Sequence, residues 1–542
     1  MGTQWQTFPV EFRGGLVSNM SLLQQGMGAV GSARILQNFE VNKEGGYSKV
    51  RGYKKYSETE VPGTDAILGL KIVSSGRYIA ARKVDADAVA AYPSNLVTGD
   101  IGKTAYYYST GTTWYFTAAG PTFNAGKVRH ASFNFNGEDK IIFVDGTNYP
   151  SIYNTVGNTH TFLNASSTNI NTDVEGAEFV VVFKNTAFYS NGNTLLFTAP
   201  FTVDDFSAAN GAGSIGLAHD ITGLAVFRDQ LIVFTTDTIS RLTGSTSSDF
   251  RLSPITEKIG CINGDTIQEV GGDIMYLSPD GIRQLSATDR IGDFALDVAS
   301  DKIKEDFNDF IGGSTEFSSC IIREKSQYRL FSYKSSQRST SSKGLIATKI
   351  TTQGSAGIEW STLKGIKAYV ADSVYSGSTE SVGFANNDGY VYTMETGSSF
   401  GEFDGIKNPI EAIFESAYMP ISDPQVRKTF YKAVWYINPT GEMDLDFNVK
   451  YDFESRSRNN VIQPDTIDIT TVAGSVGFFG AGGLFGATSP PGASFGGTLE
   501  KIYPTNIIGS GDTIALRITD NSTNPTFTLD TAVLEFKTND RQ

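Results

Sequence analysis

Acid–base catalysis in this chain of 542 residues would have to draw on three histidines, His130, His160 and His219. None stands in a sequence setting that suggests a catalytic triad or an H-E-x-x-H zinc helix, so each reads as a surface or strand-end residue. Glycoside hydrolysis needs two carboxyl groups across a cleft. The pairs Asp204/Asp205 and Asp444/Asp446 offer carboxylates, but among 58 acidic residues such pairs arise by composition alone. The run DGTN at 145–148 begins like a calcium loop and lacks the later ligands and the bidentate Glu, so it reads as a turn. GGDIMYLSPDG and AGGLFG hold glycines without the G-x-x-x-x-G-K-[ST] pattern of a phosphate loop. Cys261 and Cys320 lie in strand-like settings, and two thiols make neither a disulfide framework nor a structural zinc site. The residues therefore predict no catalytic site, no metal and no cofactor.

What they do predict is a scaffold. Gly at 57 residues, aromatics at 12% and charged residues at only 19% favour short strands joined by tight turns. An apolar strand, a two- or three-residue turn and a second strand recur at Asp145-Gly146, Asn191-Gly192, Asp237, Asp280-Gly281 and Asp388-Gly389. Asp-Gly and Asn-Gly between apolar runs are strong hairpin signals. Successive turns are 46, 46 and 43 residues apart, and the last interval of 108 holds a further copy in YRLFSYKSSQRSTSSKGLIATKI. A strand repeat of this period is that of β-propeller blades. Five visible turns and one inferred predict an all-β fold with a six-bladed β-propeller.

The propeller is expected over residues 61–400, after an N-terminal extended and hairpin segment at 1–60. Its first blade is the least regular, since the Ala-rich AVAAYPSNLVTGDIGK inserts a loop or an extra hairpin. Ser109 to Trp114 is a fragment of the sialidase S-x-D-x-G-x-T-W box without its Asp, and reads as a hairpin turn beside a buried Trp. One helix is expected in ASDKIKEDFNDFIGG on the outside of the propeller, with Ser300 as N-cap, Ile303, Phe307 and Phe310 on one face, and Gly312-Gly313 as the stop. Residues 401–542 hold about six alternating strands, a number suited to a β-sandwich. Between them the segment 473–497, AGSVGFFGAGGLFGATSPPGASFGG, is too rich in Gly for a strand and too rich in Phe for a linker. Phe478, Phe479, Leu484, Phe485 and Phe495 are the candidate interface or channel residues, because exposed apolar groups mark contacts.

The formal net charge of −14 argues against a protein that grips nucleic acid by its phosphates, though not against one past which it slides. No apolar run approaches a membrane span, and the opening MGTQWQTFPVEFRGG lacks the regions of a signal peptide. Cytoplasmic synthesis is the expectation.

Three stretches carry a family resemblance. The run ITGLAVFRDQLIVFTTDTISRLTGSTSSDFRLSPITEKIGC, continued by EVGGDIMYLSPDGIRQLSATDRIGDFAL, resembles the tail nozzle proteins of short-tailed bacteriophages, also called tail tubular or packaged-DNA-stabilisation proteins. NFEVNKEGGYSKVRGYKKY is similar to the opening of that family, and GSGDTIALRITDNSTNPTFTLDTAVLEFK to its closing strand pair. The resemblance implies a structural virion protein, a homo-hexameric ring below an adaptor ring and beside tail fibres or spikes. It holds packaged DNA without sequence-specific contacts and passes it at ejection, and it has no catalytic residues. Six copies at −14 each carry about −84 formal charges, which suits a wall past which DNA must slide. The competing readings are a glycan-binding propeller and, behind it, a glycosidase. The expected location is the virion, with the host cytoplasm during assembly.

Overall fold

A computed structural model describes residues 5–539, apart from 124, 136, 287–297, 315, 353–354, 404–405, 442, 454–466, 469–475, 478–493 and 496–501. Contacts divide the chain into two compact units. One comprises Met1–Tyr53, Ile346–Lys364 and Glu395–Gln542; the other comprises Lys54–Leu345 and Gly365–Met394.

The second unit is the β-propeller, with six small sheets as its blades. Blade 1 contains Thr64–Ile72, Tyr78–Lys83, Lys103–Thr110 and Thr113–Phe123. Blade 2 contains Arg129–Phe135, Glu138–Val144, Ser151–Asn154 and Thr159–Phe162. Blade 3 contains Phe179–Phe183, Thr186–Asn191, Thr194–Phe197 and Gly213–Gly216, and blade 4 Ile221–Phe227, Gln230–Thr235, Ile239–Thr243 and Arg251–Thr256. Blade 5 contains Gln268–Val270, Asp273–Ser278 and Gly281–Gln284, and blade 6 Val370–Ser376, Thr379–Ala385 and Val391–Met394. The hairpin Glu316–Ile322 and Gln327–Tyr333 stands between blades 5 and 6, and its first strand touches the first strand of each. Counted by sheets there are thus six blades, with this hairpin supplying one more inner strand to the ring.

The second strand of each blade is buried on both faces, because a neighbouring blade lies on each side. Ile141, Ile142, Phe143 and Val144 in blade 2 and Leu231, Ile232, Val233 and Phe234 in blade 4 are all buried. These strands read as continuous apolar runs instead of alternating ones for that reason. In the seam between blades 2 and 3, Ile142, Val144 and Tyr149 pack with Val180, Tyr189 and Leu196. The five repeated turns at Asp145-Gly146, Asn191-Gly192, Asp237, Asp280-Gly281 and Asp388-Gly389 each join the second and third strands of their blade, whereas the inferred copy joins Gln327–Tyr333 to Lys343–Thr352 in the nine-stranded sheet. Gly146, Gly192 and Gly389 have φ of 72°, 54° and 84°, which favours Gly. The DGTN run is an Asx-type turn, Asp145 Oδ1 accepting from the Thr147 and Asn148 amides. Trp114 is buried beside the turn of its hairpin, and Cys261 and Cys320 are buried and not joined in a disulfide.

Two local expectations need correction. The Ala-rich insertion of blade 1 holds neither a loop alone nor a hairpin. It forms a short helix, Ala86–Ala91, whose first turn is capped by Asp85 Oδ1 accepting from the Ala88 amide at 2.7 Å. The expected helix forms as a 3-10 turn, Asp301–Ile303, followed by Lys304–Ile311, with Ile303, Phe307 and Phe310 buried. Its Ser300 side chain does not cap it, because Ser300 Oγ accepts from the Ile282 amide of blade 5 at 3.0 Å.

The ring closes where blade 6 meets the residues that precede blade 1. The Tyr56 amide donates to Val391 O and the Val61 amide to Gly389 O, each at 2.9 Å. Arg82, buried, donates through Nη1 to Val61 O at 2.6 Å and through Nε to Asp65 O at 3.0 Å. Its guanidinium lies against Gly389, where a Cβ would come within 2.6 Å of Arg82 Cζ. Gly389→Ala combines a left-handed backbone with a clash on a buried cation, and costs about 2–4 kcal/mol. Urea unfolding of the full chain measures this; a loss under about 0.5 kcal/mol, the range of ordinary surface substitutions, overturns it.

The other unit is a β-sandwich. Sheet A runs in the order Phe39–Val41, Tyr47–Lys49, Phe527–Thr538, Lys428–Pro439 and Ile502–Asn506, with Gln6–Glu11 also paired to Phe527–Thr538. The facing sheet, B, includes Ala33–Gln37, Ile410–Ser416, Ile514–Ser522 and Asp444–Tyr451. Phe12, Phe414, Trp435 and Phe447 meet between the sheets with ring centroids 4.9–6.1 Å apart. Lys49 Nζ donates to Asp520 Oδ2 at 2.7 Å, with both side chains fully enclosed. The N-terminal strands are thus integral to this sandwich.

Candidate functional site

The inner strands of all six blades and of the added hairpin converge on one cavity of about 220 Å3 along the propeller axis. Its floor is polar. Asp265, in the turn before blade 5, accepts Arg129 Nε on Oδ1 at 2.7 Å and Arg129 Nη2 on Oδ2 at 3.1 Å. Lys127 Nζ reaches the same Oδ2 at 3.1 Å and also donates to Phe317 O at 2.7 Å. The alternation of a strand puts residues 127 and 129 on one side of the chain entering blade 2, so both cations face the axis. Arg129 Cζ lies 4.2 Å from the Phe179 ring centroid, and Lys127 Nζ 4.8 Å from that of Tyr369. Ser319 Oγ of the added hairpin donates to Asp265 O at 2.6 Å. Asp265 therefore ties blade 5 to blade 2 through its carboxylate and to the hairpin through its backbone carbonyl.

The electrostatics follow from the geometry. Burial alone would raise the Asp265 carboxyl, but the charges of Lys127 and Arg129 outweigh it and hold it well below the usual range. Burial likewise opposes the Arg129 charge, and Asp265 more than restores it. Nearby, Asp372 of blade 6 takes Lys71 Nζ at 3.2 Å and the Ile72 amide at 2.7 Å on one oxygen. His130 Nε2 lies 3.2 Å from Leu70 O and so carries the proton it donates there; burial, then Lys71, pushes its pKa down to about 4. A carboxylate held ionised and doubly paired, beside a neutral imidazole, binds neighbouring elements and has no proton poised for transfer near pH 7.

Of the sequence candidates, His160 sits at the start of the last strand of blade 2, with Nε2 2.9 Å from Ser151 Oγ and Nδ1 3.1 Å from Thr117 Oγ1. His219 is exposed, 3.8 Å from Asp237. Phe478, Phe479, Leu484 and Phe485 lie outside the described residues. For Phe495 only a backbone pairing with Gly477 is described. No group of three or more potential metal ligands occurs among the described residues. No helix of the described residues is long and apolar enough to cross a membrane. Lys127, Arg129 and Asp265 were not legible as a set. The alternation in GKVRH is the one local signal that two cations would share a face.

A second feature belongs to the sandwich. Sheet A pairs Pro9 with Val533, Val533 with Val434, and Val434 with Pro504, so four apolar residues form a row across four strands. Alternation places this row on the face opposite the buried Ala433 and Trp435. In the next outward row Tyr436 pairs with Ile502, and these are 39% and 51% exposed. Trp5 and Tyr431 meet edge to face at 4.4 Å, with Lys537 Nζ 4.3 Å from the Trp5 ring. A sheet face turned to solvent normally carries polar residues, and an apolar row on it marks a contact surface.

No protein-family profile and no curated protein matches the sequence. Solved structures resemble it at the level of the chain trace. U3-55K matches 63% of this chain over 98% of its own, at 9% identity and a TM-score of 0.39. The extracellular domain of the putative hybrid two component system BT3049 from B. thetaiotaomicron matches 70% of this chain at 8% identity and a TM-score of 0.36. PorZ of Porphyromonas gingivalis matches 68% at 9% identity and a TM-score of 0.36. The matched regions span 45% and 43% of those two chains. The chain's architecture is that of an all-β protein with a six-bladed β-propeller and a β-sandwich.

Proposed function

We propose that this chain is the structural nozzle subunit of a short phage tail, six copies of which form the distal DNA channel. The observation that carries the reading is where the family-like stretches fall. The central stretch makes up blade 4 and the strands of blade 5. The opening and closing stretches, about 480 residues apart, pair in sheet A as Tyr47 with Leu529 and Ser48 with Thr528. Segments that resemble one family at both ends of the chain are here one structural piece.

The axial cavity constrains how such a subunit works. It measures about 220 Å3 and is lined in part by Asp265 and its two cations. A duplex whose major groove alone is about 12 Å wide does not enter it. The channel in this reading runs between copies, and the propeller is a sealed, rigid wall element without catalytic duty. The apolar row on sheet A is the surface we assign to the contact with a neighbouring copy or with the adaptor ring. DNA passes the acidic wall without sequence-specific binding, and tail fibres or spikes are further partners.

Electron microscopy of particles assembled with this protein tests the reading: six-fold density at the tail tip supports it. A chain absent from purified particles, or a monomer that binds on a glycan array, overturns it in favour of the glycan-binding propeller. Val434→Asp puts a charge in the middle of the apolar row on an outward face. The expected result is an isolated chain whose thermal midpoint stays within about 2 °C, as for surface substitutions, with incorporation into particles reduced at least about tenfold, the effect of about 1.4 kcal/mol at the contact. Normal incorporation would remove the row from the interface.

A further inference from the structure

The sandwich core holds one ion pair unlike the rest. Lys49 of sheet A and Asp520 of sheet B meet between the sheets with side chains 0% and 1% exposed, the most enclosed pair among the described residues. Glu415, nearly as enclosed, is shared by Arg34, Lys450 and Arg517, and Asp265 by Lys127 and Arg129. A guanidinium keeps its proton, so those two carboxylates stay ionised. Lys49 and Asp520 have no third charged group within ion-pair distance among the described residues. Burial draws the Lys49 ammonium below its usual pKa, against the attraction of Asp520. Where water is excluded, an ammonium facing a single carboxylate can pass its proton along their hydrogen bond, which leaves an amine beside a carboxylic acid.

The two groups are held for reaction by one neighbouring residue. Lys49 Nζ lies 2.7 Å from Asp520 Oδ2 and donates to Ser522 O at 3.1 Å, while Asp520 Oδ1 accepts from the Ser522 amide at 2.8 Å. Their cross-strand partners, Phe39 opposite Lys49 and Ala412 opposite Asp520, are wholly buried. Of the three N–H groups of the ammonium, two find acceptors among the described residues, and both charges bear the cost of leaving water. An amide in their place has one N–H and one C=O. Ser522 O and the Ser522 amide already stand where that N–H and that C=O need partners.

We propose that Lys49 and Asp520 condense into an intramolecular isopeptide bond that joins sheet A to sheet B. After the proton has passed to Asp520, the Lys49 nitrogen attacks the carboxyl carbon and the Nζ–Cγ bond forms. The bond from Cγ to the protonated oxygen breaks, and the hydroxyl leaves as water with a proton from the nitrogen. One amine and one carboxylic acid thus become one amide and one water, with no oxidant, reductant or cofactor. The fixed pairing replaces an encounter between separate molecules by an intramolecular step. The two residues are 471 positions apart, so the bond closes most of the chain into a loop. The N-terminal strands then cannot leave the sandwich unless a covalent bond is broken.

The test is mass spectrometry of the full chain, folded, kept overnight at pH 7.5 and then denatured. The intact mass is expected about 18 Da below that of the sequence, the loss of one water. Dehydration elsewhere would give the same mass, so the tryptic map decides. Trypsin cannot cut after an acylated Lys49, and the expected product is a branched peptide of residues 44–51 joined to residues 518–537. Lys49→Met lacks the nucleophile; it should show the mass of its own sequence, and in SDS it should migrate more slowly than the looped wild type. A wild-type chain at the full sequence mass, cleaved after Lys49 and yielding 518–537 unbranched, overturns the bond. That result is read from wild type alone, so the proposal stays open to refutation even if Lys49→Met does not fold.

Discussion

Asp265→Asn is expected to cost the propeller about 3–5 kcal/mol, the range for removing one partner of a buried ion pair. The side chains of Lys127, Asp265 and Arg129 are 7%, 15% and 25% exposed, so solvent replaces little of the lost attraction. Asn keeps the shape and can accept one of the hydrogen bonds, but it leaves two cations facing a neutral amide. The same pair of cations also meets Phe317 O, Glu178 O and two aromatic faces, and these contacts limit the loss without replacing the charge. Lys127→Met in the Asp265→Asn background should recover part of the cost, because it removes one of the stranded charges. Chemical unfolding of the three proteins and of wild type forms the cycle. A cost below about 1 kcal/mol, as for a surface pair, would show that the axis is solvated. The sign with pH is fixed: Asp265 has a folded pKa below its unfolded value of about 3.9. Its contribution is full above about pH 4 and is lost as pH falls toward the depressed folded value. Asp265→Asn should therefore weaken the protein most at pH 7 and progressively less as the pH falls below about 4.

This carboxylate shows where the sequence was mute. The hairpins were legible because each is local: Asp145-Gly146, Asn191-Gly192 and Asp388-Gly389 carry the positive-φ residue that their turns require, between runs apolar enough to lie between two blades. Asp265 and Arg129 are 136 residues apart, and no spacing rule joins them; only ring closure does. The pairing of Gln6–Glu11 with Phe527–Thr538 is non-local in the same way, which is why the opening residues read as an extension when they are sandwich strands. The short helix Ala86–Ala91 was missed because Ala carries no polarity to alternate, although Asp85 before it was a visible cap. Ser300 misled by the reverse route, since a good capping residue was claimed by the Ile282 amide of another element. The Gly/Phe segment, the one candidate site the composition singled out, lies outside the described residues but for fragments of its backbone. The residues that organise the axis were ordinary in type and gained their role from the ring.

Lowering the pH from 7.5 to 5 is expected to cost the propeller about 2 kcal/mol for each of His130 and His160, at 1.36 kcal/mol per pKa unit. Burial pushes their pKa values down to about 4 and about 3, against an unfolded value of about 6.5. The unfolded chain then binds protons below about pH 6.5 that the folded chain refuses. Stability is full above that pH, falls with pH through the window, and levels off as each folded pKa is passed. Both rings serve the same seam. His130 of blade 2 lies against Leu70 O of blade 1. His160 of blade 2 meets Thr117 and the Tyr106 ring of blade 1, with the Tyr106 centroid 4.7 Å away and Phe143, Tyr153 and Phe162 around it. His160→Gln keeps hydrogen-bonding capacity toward Ser151 or Thr117 and removes the titration. It should flatten the pH dependence between 6.5 and 5 by about 2 kcal/mol while lowering stability at pH 7.5 through lost ring packing. NMR titration of the imidazoles should find neither protonated in the folded chain at pH 5, and a midpoint near 6.5 for either would refute its enclosure. Because the penalty is concentrated between blades 1 and 2, amide exchange at pH 5 should lose protection there before it does between blades 3 and 4, where the seam is formed by Phe188, Leu195, Val233 and Leu242 and holds no titrating side chain among its core residues.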